Sequence, residues 1–358
     1  MIAGGGTGGH IYPAITIAKA IQRLNHSWEI EFVGTPEGLE SQIIPKEGFL
    51  INLISVGKLN YKGSLFKKLV TLFRLPWGFI KCLALVIEKK PVLVLGVGGY
   101  ASGPFVLASS LMGVPTALWE PNAHPGLTNR ILARFVRKCF IVFDEAKLYL
   151  KARRFITVGV PIREEIEKLY QEISAPHEKF RILVFGGSQG ARAINTAVKE
   201  MILNFPWEGV EFIHQTGVHD FNDINVSYQN KDFAKAYEYL YQMDQNYLWA
   251  DLVICRAGAG TVAEIAAAKK PAIFIPLPSA ADDHQKKNAE ALVNQNAGMM
   301  IEQKDLKPEL LYKKIQELKN NEELRLKISQ NVKLFYQPQT AAKMAEQIVN
   351  MQYDNHEE

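Results

Sequence analysis

Four times along this chain, apolar residues break directly into glycines and a helical pattern follows. The turns are Gly4-Gly5-Gly6-Thr7-Gly8-Gly9-His10, Gly96-Val97-Gly98-Gly99-Tyr100-Ala101-Ser102-Gly103-Pro104, Gly186-Gly187-Ser188-Gln189-Gly190 and Cys255-Arg256-Ala257-Gly258-Ala259-Gly260-Thr261. A strand that ends in a glycine turn and re-emerges as a helix is half of a βαβ unit, and repeated units of that kind build a parallel sheet covered by helices. The succession points to the α/β class.

The rhythm runs twice. Apolar strand-like runs at 91–97, 116–118 and 140–143 are matched by runs at 181–185, 210–213, 252–255 and 272–275. At 358 residues the chain also exceeds the size at which one core keeps growing. Two parallel-sheet α/β domains are expected, spanning 1–160 and 161–335, with a linker near Gly159-Val160-Pro161 or within 174–179. The tail, 336–358, has a helical period (Ala341, Ala342, Ala345, Ile348, Val349) suited to packing back on the N-terminal domain. Only Met1, Ile2 and Ala3 precede the first glycines, so the first strand is either short or begins upstream.

Several function classes are excluded. The cysteines (Cys82, Cys139, Cys255) are odd in number and far apart, which suits buried apolar residues in a reducing cytoplasm rather than a zinc or redox site. No secretory signal opens the chain. The most apolar stretch, 75–87, contains Lys81 and is shorter than the roughly 20 residues a membrane span requires. A net charge of +4 is too small to imply nucleic acid. The pair Asp282-Asp283 stands without an Asp-x-Asp or clustered histidines, so no metal is expected.

The turns carry the candidate chemistry. Pro13 is expected at the first helical position after the first loop, leaving His10 at the loop's end as a candidate general base or a turn cap. Trp119-Glu120-Pro121-Asn122 follows a strand, placing Glu120 and Asn122 at the same sheet edge, as substrate contacts or as turn and surface residues. Gly186, Gly187, Gln189 and Gly190 form a phosphate-type loop, with the Ser188 hydroxyl and with Arg192 near a helix start. Glu264, expected on a first helical turn, suits ribose hydroxyls or simply offsets the helix dipole. Asp282-Asp283-His284-Gln285-Lys286-Lys287-Asn288 is placed to meet sugar hydroxyls. Three glycine loops are expected to line one cleft between the domains. Finally, 58–81 mixes Lys68, Arg74 and other cations with Leu69, Leu72, Phe73 and Trp77, the composition of either an interfacial amphipathic helix or a core-facing helix with a basic face.

Together the four loops, in this order and with Gly159-Val160-Pro161-Ile162-Arg163 between them, resemble the MurG family of peptidoglycan N-acetylglucosaminyltransferases over nearly the whole chain. The resemblance implies a GT-B fold, with two Rossmann-like parallel-sheet domains facing across a cleft. It implies inverting, metal-independent transfer of N-acetylglucosamine from UDP-GlcNAc to the C4 hydroxyl of the muramoyl sugar of lipid I, forming lipid II. By motif match Arg163, Ser188, the turn Ala259, Gly260, Thr261, Val262, Ala263, Glu264 and Gln285 bind the donor, with Leu240 beside the uracil through its backbone. Thr7, Gly8, Gly9 and Asn122 meet the donor sugar or acceptor, and His10 and Glu120 are the catalytic candidates. The family commonly has His-Glu-Gln-Asn where this chain has Trp119-Glu120-Pro121-Asn122, so the match there is limited to Glu120 and Asn122. The implied location is peripheral, on the cytoplasmic face of the cell membrane. The implied partners are lipid I, an anionic membrane surface and other cell-wall synthesis proteins, with no cofactor and no nucleic acid.

Two other classes share these features. A UDP-GlcNAc 2-epimerase needs acid-base groups around the donor sugar but no lipid acceptor. A nucleotide-sugar-binding membrane subunit binds the donor and leaves the chemistry to a partner.

Overall fold

The computed structural model describes residues 1–6, 8–55, 65–99, 101–172, 177–187, 189–278 and 283–352, the side chains of 65–75 excepted. The chain divides into two compact units, Met1–Arg163 with Gln337–Glu358, and Glu164–Tyr336.

In the first unit the chain runs β1 (Ile2–Gly4), α1 (Gly8–Leu24), β2 (Glu31–Gly34), α2 (Glu40–Lys46), β3 (Leu50–Leu53), α3 (Leu65–Lys89), β4 (Val94–Gly98), α4 (Ser102–Leu111), β5 (Thr116–Glu120), α5 (Leu127–Leu132), β6 (Lys138–Ile141) and β7 (Phe155–Thr157). The strands form one sheet, order β3-β2-β1-β4-β5-β6-β7, and every pairing is parallel. Helices cover both faces of such a sheet, so its central strands are buried on both sides; β1, β5 and β6 are buried throughout. The first strand is short, three residues, bonded to β2 on one side and β4 on the other.

The second unit begins with α6 (Glu164–Lys168). It continues β8 (Phe180–Phe185), α7 (Arg192–Asn204), β9 (Val210–Gln215), α8 (Phe221–Tyr228), β10 (Ala234–Tyr237), α9 (Met243–Trp249), β11 (Leu252–Cys255), α10 (Ala259–Ala268), β12 (Ala272–Phe274), α11 (His284–Asn294), β13 (Met299–Met300), α12 (Pro308–Asn320) and α13 (Glu322–Val332). Its sheet is again parallel, order β10-β9-β8-β11-β12-β13. Ile194, Val198 and Met201 of α7 and Leu311, Ile315 and Leu318 of α12 pack in one core with Ile182, Phe212, Ile254 and Ile273 of the strands.

Both sheets have a reversal of strand order, between β1 and β4 and between β8 and β11. Helices leave the two strands toward opposite faces there, and the gap above the carboxyl ends is where open α/β sheets take ligands. All four glycine turns follow these four strands.

The first helix differs from expectation. It starts at Gly8, and Pro13 lies inside it. A proline ring has no N–H to give the carbonyl four residues back, so the Gly9 carbonyl forgoes that bond, and Gly9 and His10 belong to the first turn.

A last helix, α14 (Thr340–Asn350), returns to the first unit and packs along α1. Thr340, Met344, Ala345, Ile348 and Val349 form its buried stripe at helical spacing. Met344 is fully buried. Met344→Ala is expected to destabilise the protein by about 2–5 kcal/mol, the cost of a buried large-to-small truncation, measured by urea unfolding.

Candidate ligand sites at the two sheet switch points

In the first unit the turns after β1 and β4 touch backbone to backbone. Gly5 N–H donates to Gly98 O at 3.2 Å. A β-carbon on Gly99 would lie 2.5 Å from the Gly5 carbonyl oxygen, and Gly99 has φ +88°. No other residue type suits that position. His10 lies over this contact, with Nδ1 3.3 Å from Gly5 O and its ring against Gly98. A carbonyl only accepts, so the contact calls for Nδ1–H and makes Nε2 the basic nitrogen. Gly8 and Gly9 open α1, where backbone N–H groups have no acceptor within the helix. Thr7 and Tyr100 lie outside the described residues.

The segment after β5 folds around Glu120, whose carboxyl is buried. Its Oε1 accepts from Asn122 N–H at 2.9 Å and Asn122 Nδ2 at 3.0 Å, and its Oε2 from Asn129 Nδ2 at 2.9 Å. Burial pushes the Glu120 carboxyl above its ordinary value, against these hydrogen bonds. Trp119, one residue earlier, is buried in the strand. Arg163 closes this unit, its guanidinium 5.8 Å from the centre of the Tyr12 ring.

In the second unit the turn after β8 is held from below. Gly187 and Gly190 have φ +93° and +75°, and Gly190 N–H donates to Gly187 O at 2.9 Å. A β-carbon on Gly190 would collide with the Thr216 carbonyl, and one on Gly217 would lie 2.5 Å from Gln189 O. The turn opens into α7 at Arg192, whose exposed side chain lies 3.6 Å from Asp220. Ser188 lies outside the described residues.

The supporting residues escaped the sequence reading. Gln215 Nε2 donates to Gly187 O at 3.0 Å, and its Oε1 accepts from Leu240 N–H at 3.1 Å. Asn195 Nδ2 donates to Thr216 O and to Asp220, each at 2.8 Å, and its Oδ1 lies 3.1 Å from His214 Nε2. His214 Nδ1 is 3.0 Å from the Tyr228 hydroxyl. An amide oxygen only accepts, so Nε2 carries the proton and Nδ1 accepts from Tyr228. Burial lowers the His214 pKa to about 3, keeping the ring neutral. The only sequence signal for this group was polarity at the end of a strand, in His214-Gln215-Thr216-Gly217.

After β11, Gly258 caps α10 and Ala259, Gly260 and Thr261 form its first turn. Val262 and Ala263 are buried, and Val262 N–H donates to Gly258 O at 3.0 Å. Glu264 stands on the second turn rather than the first, because the helix begins at Ala259, and its Oε2 accepts from the Tyr247 hydroxyl at 3.0 Å. Gln285, on the first turn of α11, accepts from Leu277 N–H at 3.0 Å, and Asn288 donates to Ala257 O at 3.1 Å. Asp282 lies outside the described residues. Among the described residues no three His, Cys, Asp or Glu side chains are grouped to hold a metal. The cysteines are buried and unpaired.

Among the described residues no helix is long and apolar enough to cross a membrane. On α3, Trp77, Ile80 and Ile87 are exposed, while the side chains of Lys68, Leu69, Leu72, Phe73 and Arg74 lie outside the described residues.

Comparison with known proteins gives two family matches, the glycosyltransferase family 28 N-terminal domain over residues 1–141 and its C-terminal domain over residues 181–348. The chain is 49% identical over 352 residues to the UDP-N-acetylglucosamine–N-acetylmuramyl-(pentapeptide) pyrophosphoryl-undecaprenol N-acetylglucosamine transferase of Bdellovibrio bacteriovorus, covering 98% of each chain. Among solved structures it is similar to MurG of Acinetobacter baumannii, with TM-score 0.77, 28% identity and 98% of each chain covered. A UDP-GlcNAc 2-epimerase from Neisseria meningitidis aligns with TM-score 0.65 over 99% of each chain at 12% identity, a likeness of fold alone.

The neutral His214 ties stability to pH. Its folded pKa, about 3, is below the ordinary 6.5, so its contribution is complete above pH 6.5 and is lost as pH falls from there toward 3. Urea unfolding between pH 7.5 and 5 is expected to show wild-type stability falling more steeply than that of His214→Gln, by up to about 1.4 kcal/mol per pH unit. Parallel curves would refute the assignment.

Proposed function

We propose, for a chain that belongs to glycosyltransferase family 28 and within it to the MurG family, that it transfers N-acetylglucosamine from UDP-GlcNAc to the C4 hydroxyl of the muramoyl sugar of lipid I, forming lipid II with inversion. The observation that carries this is 49% identity over 98% of both chains to a transferase of that name. The epimerase likeness, at 12% identity, extends to the fold and no further.

The second unit takes the donor. Backbone N–H groups of the Gly186–Gly190 turn and the start of α7 meet the diphosphate. Leu240 N–H is bonded to Gln215, so a backbone contact to uracil falls to its carbonyl, which suits the uracil N–H. Glu264, a carboxylate with accepting capacity beyond Tyr247, takes ribose hydroxyls. Gln285 and the first turn of α10 complete the second unit's donor set, and Arg163, the last residue of the first unit's opening segment, joins it by motif match alone. The first unit supplies the acceptor side. His10 Nε2 takes the proton from the acceptor hydroxyl as its oxygen bonds to the anomeric carbon; the bond from that carbon to the UDP oxygen breaks, and the charge left on the β-phosphate is met by the N–H groups at the start of α7, which have no acceptor within the helix. Glu120 holds Asn122 in place for the sugar. No metal enters the scheme.

The acceptor is lipid-borne, and the exposed Trp77, Ile80, Lys81 and Ile87 of α3 are the described residues that would meet an anionic leaflet on the cytoplasmic side. Cell-wall synthesis proteins working on the same lipid are its natural neighbours there.

The first test is UDP release from UDP-GlcNAc with and without a lipid I analogue: release only with the acceptor is expected, and epimer formation without it would reject the transferase. His10→Ala is expected to lower kcat by about 10²–10⁴-fold, the usual share of a general base, with donor KM little changed. Trp77→Ser combined with Ile80→Ser is expected to reduce flotation with anionic vesicles while leaving thermal unfolding in place.

A further inference from the structure

The turn between β2 and α2 carries a carboxylate that the reaction above does not use. Glu40, the first residue of α2, is 1% exposed. Its Oε2 accepts Gly6 N–H at 2.7 Å, and its Oε1 accepts the N–H and the hydroxyl of Thr35, each at 2.9 Å. β-Carbons on Gly5, Gly34 or Gly38 would fall into space its side chain fills. A buried carboxylate is tolerated only when its lone pairs are used, and three glycines make room for this one.

What it grips is informative. Gly6 N–H and Gly5 C=O belong to the same peptide unit, and in a planar trans peptide the two point in opposite directions. Glu40 holds the N–H on one side, so the Gly5 carbonyl is aimed to the other, where His10 Nδ1 lies 3.3 Å away. A peptide between two glycines turns over easily when nothing fixes it.

We propose that Glu40 is a positioning residue for His10: it locks the Gly5–Gly6 peptide in one orientation, and the carbonyl so aimed keeps the proton on Nδ1 and leaves Nε2 to act. The proposal rests on His10 as the base, and sequence motifs alone do not reveal it, because Glu40 follows a strand and a turn outside the four glycine loops.

Glu40→Gln keeps the shape but offers an amide N–H₂ where the carboxylate accepted. It is expected to lower kcat by about 10- to 100-fold, part of a general base's share, with donor KM and melting temperature near wild type. In the His10→Ala background the same substitution is expected to change kcat no further. The ¹⁵N spectrum of the imidazoles, with His10 identified by its absence in His10→Ala, is expected to show Nδ1–H in the wild type and a shifted tautomer balance in Glu40→Gln. Thr35→Val, which removes one donor and keeps the packing, is expected to move kcat and the ¹⁵N pattern the same way by less, and it decides the matter if Glu40→Gln does not fold. Wild-type kcat in the folded variants, an equal loss in the His10→Ala background, or an unchanged His10 ¹⁵N pattern would each overturn the proposal. Full kcat in His10→Ala alone would instead remove the base assignment, and the ¹⁵N comparison would still decide whether Glu40 sets the tautomer.

Discussion

In each unit main chain meets main chain above the carboxyl ends of neighbouring strands, at the switch point between β1 and β4 in the first unit and between the turns after β8 and β9 in the second. Gly99 lies against the Gly5 carbonyl in one unit, and Gly190 against the Thr216 carbonyl in the other. Side chains would separate these turns, and with them the N–H groups and the imidazole they present. The rest of each site is arranged around that closeness: helices start where the turns end, and buried polar side chains fix the turns from beneath.

The two units solve the second problem with different chemistry. Under the first unit's turns the fixing groups are carboxylates, Glu40 and Glu120. Under the glycine turn after β8 they are neutral amides and an imidazole, Gln215, Asn195 and His214, with Asp220 bonded to Asn195 and facing Arg192. The difference follows from what each turn is proposed to meet. A buried anion directly beneath a diphosphate would oppose it through a poorly screening interior, and neutral groups beneath the turn avoid that.

The fold class and the four turns were legible in the sequence because central parallel strands are continuous apolar runs and glycine turns are conspicuous. The strands that escaped were short or at edges: β2, β3, β7, β10 and β13 have too few apolar residues in a row to stand out, and in β3 Leu50 and Leu53 are exposed. Missing β2 hid Glu40, and reading β9 only as far as Ile213 hid His214 and Gln215. The start of α1 was misjudged because Pro13 resembles a first helical residue, yet the glycines before it already hold helical conformation. Residues that touch a ligand announce themselves by motif; residues that hold those motifs still are ordinary polar side chains, identified only by their hydrogen bonds.

The first unit is written in two pieces. Its sheet is encoded by the opening 163 residues, but the helix that covers α1, the element bearing His10, arrives only after the whole second unit. On a ribosome the second unit emerges as one uninterrupted stretch, while α1 waits with an apolar flank uncovered until α14 is made. Domains fold as units during synthesis. Here the part begun first is finished last, so an active enzyme is a late product of translation, and a chain cut short before residue 340 leaves the proposed base on an incompletely packed helix.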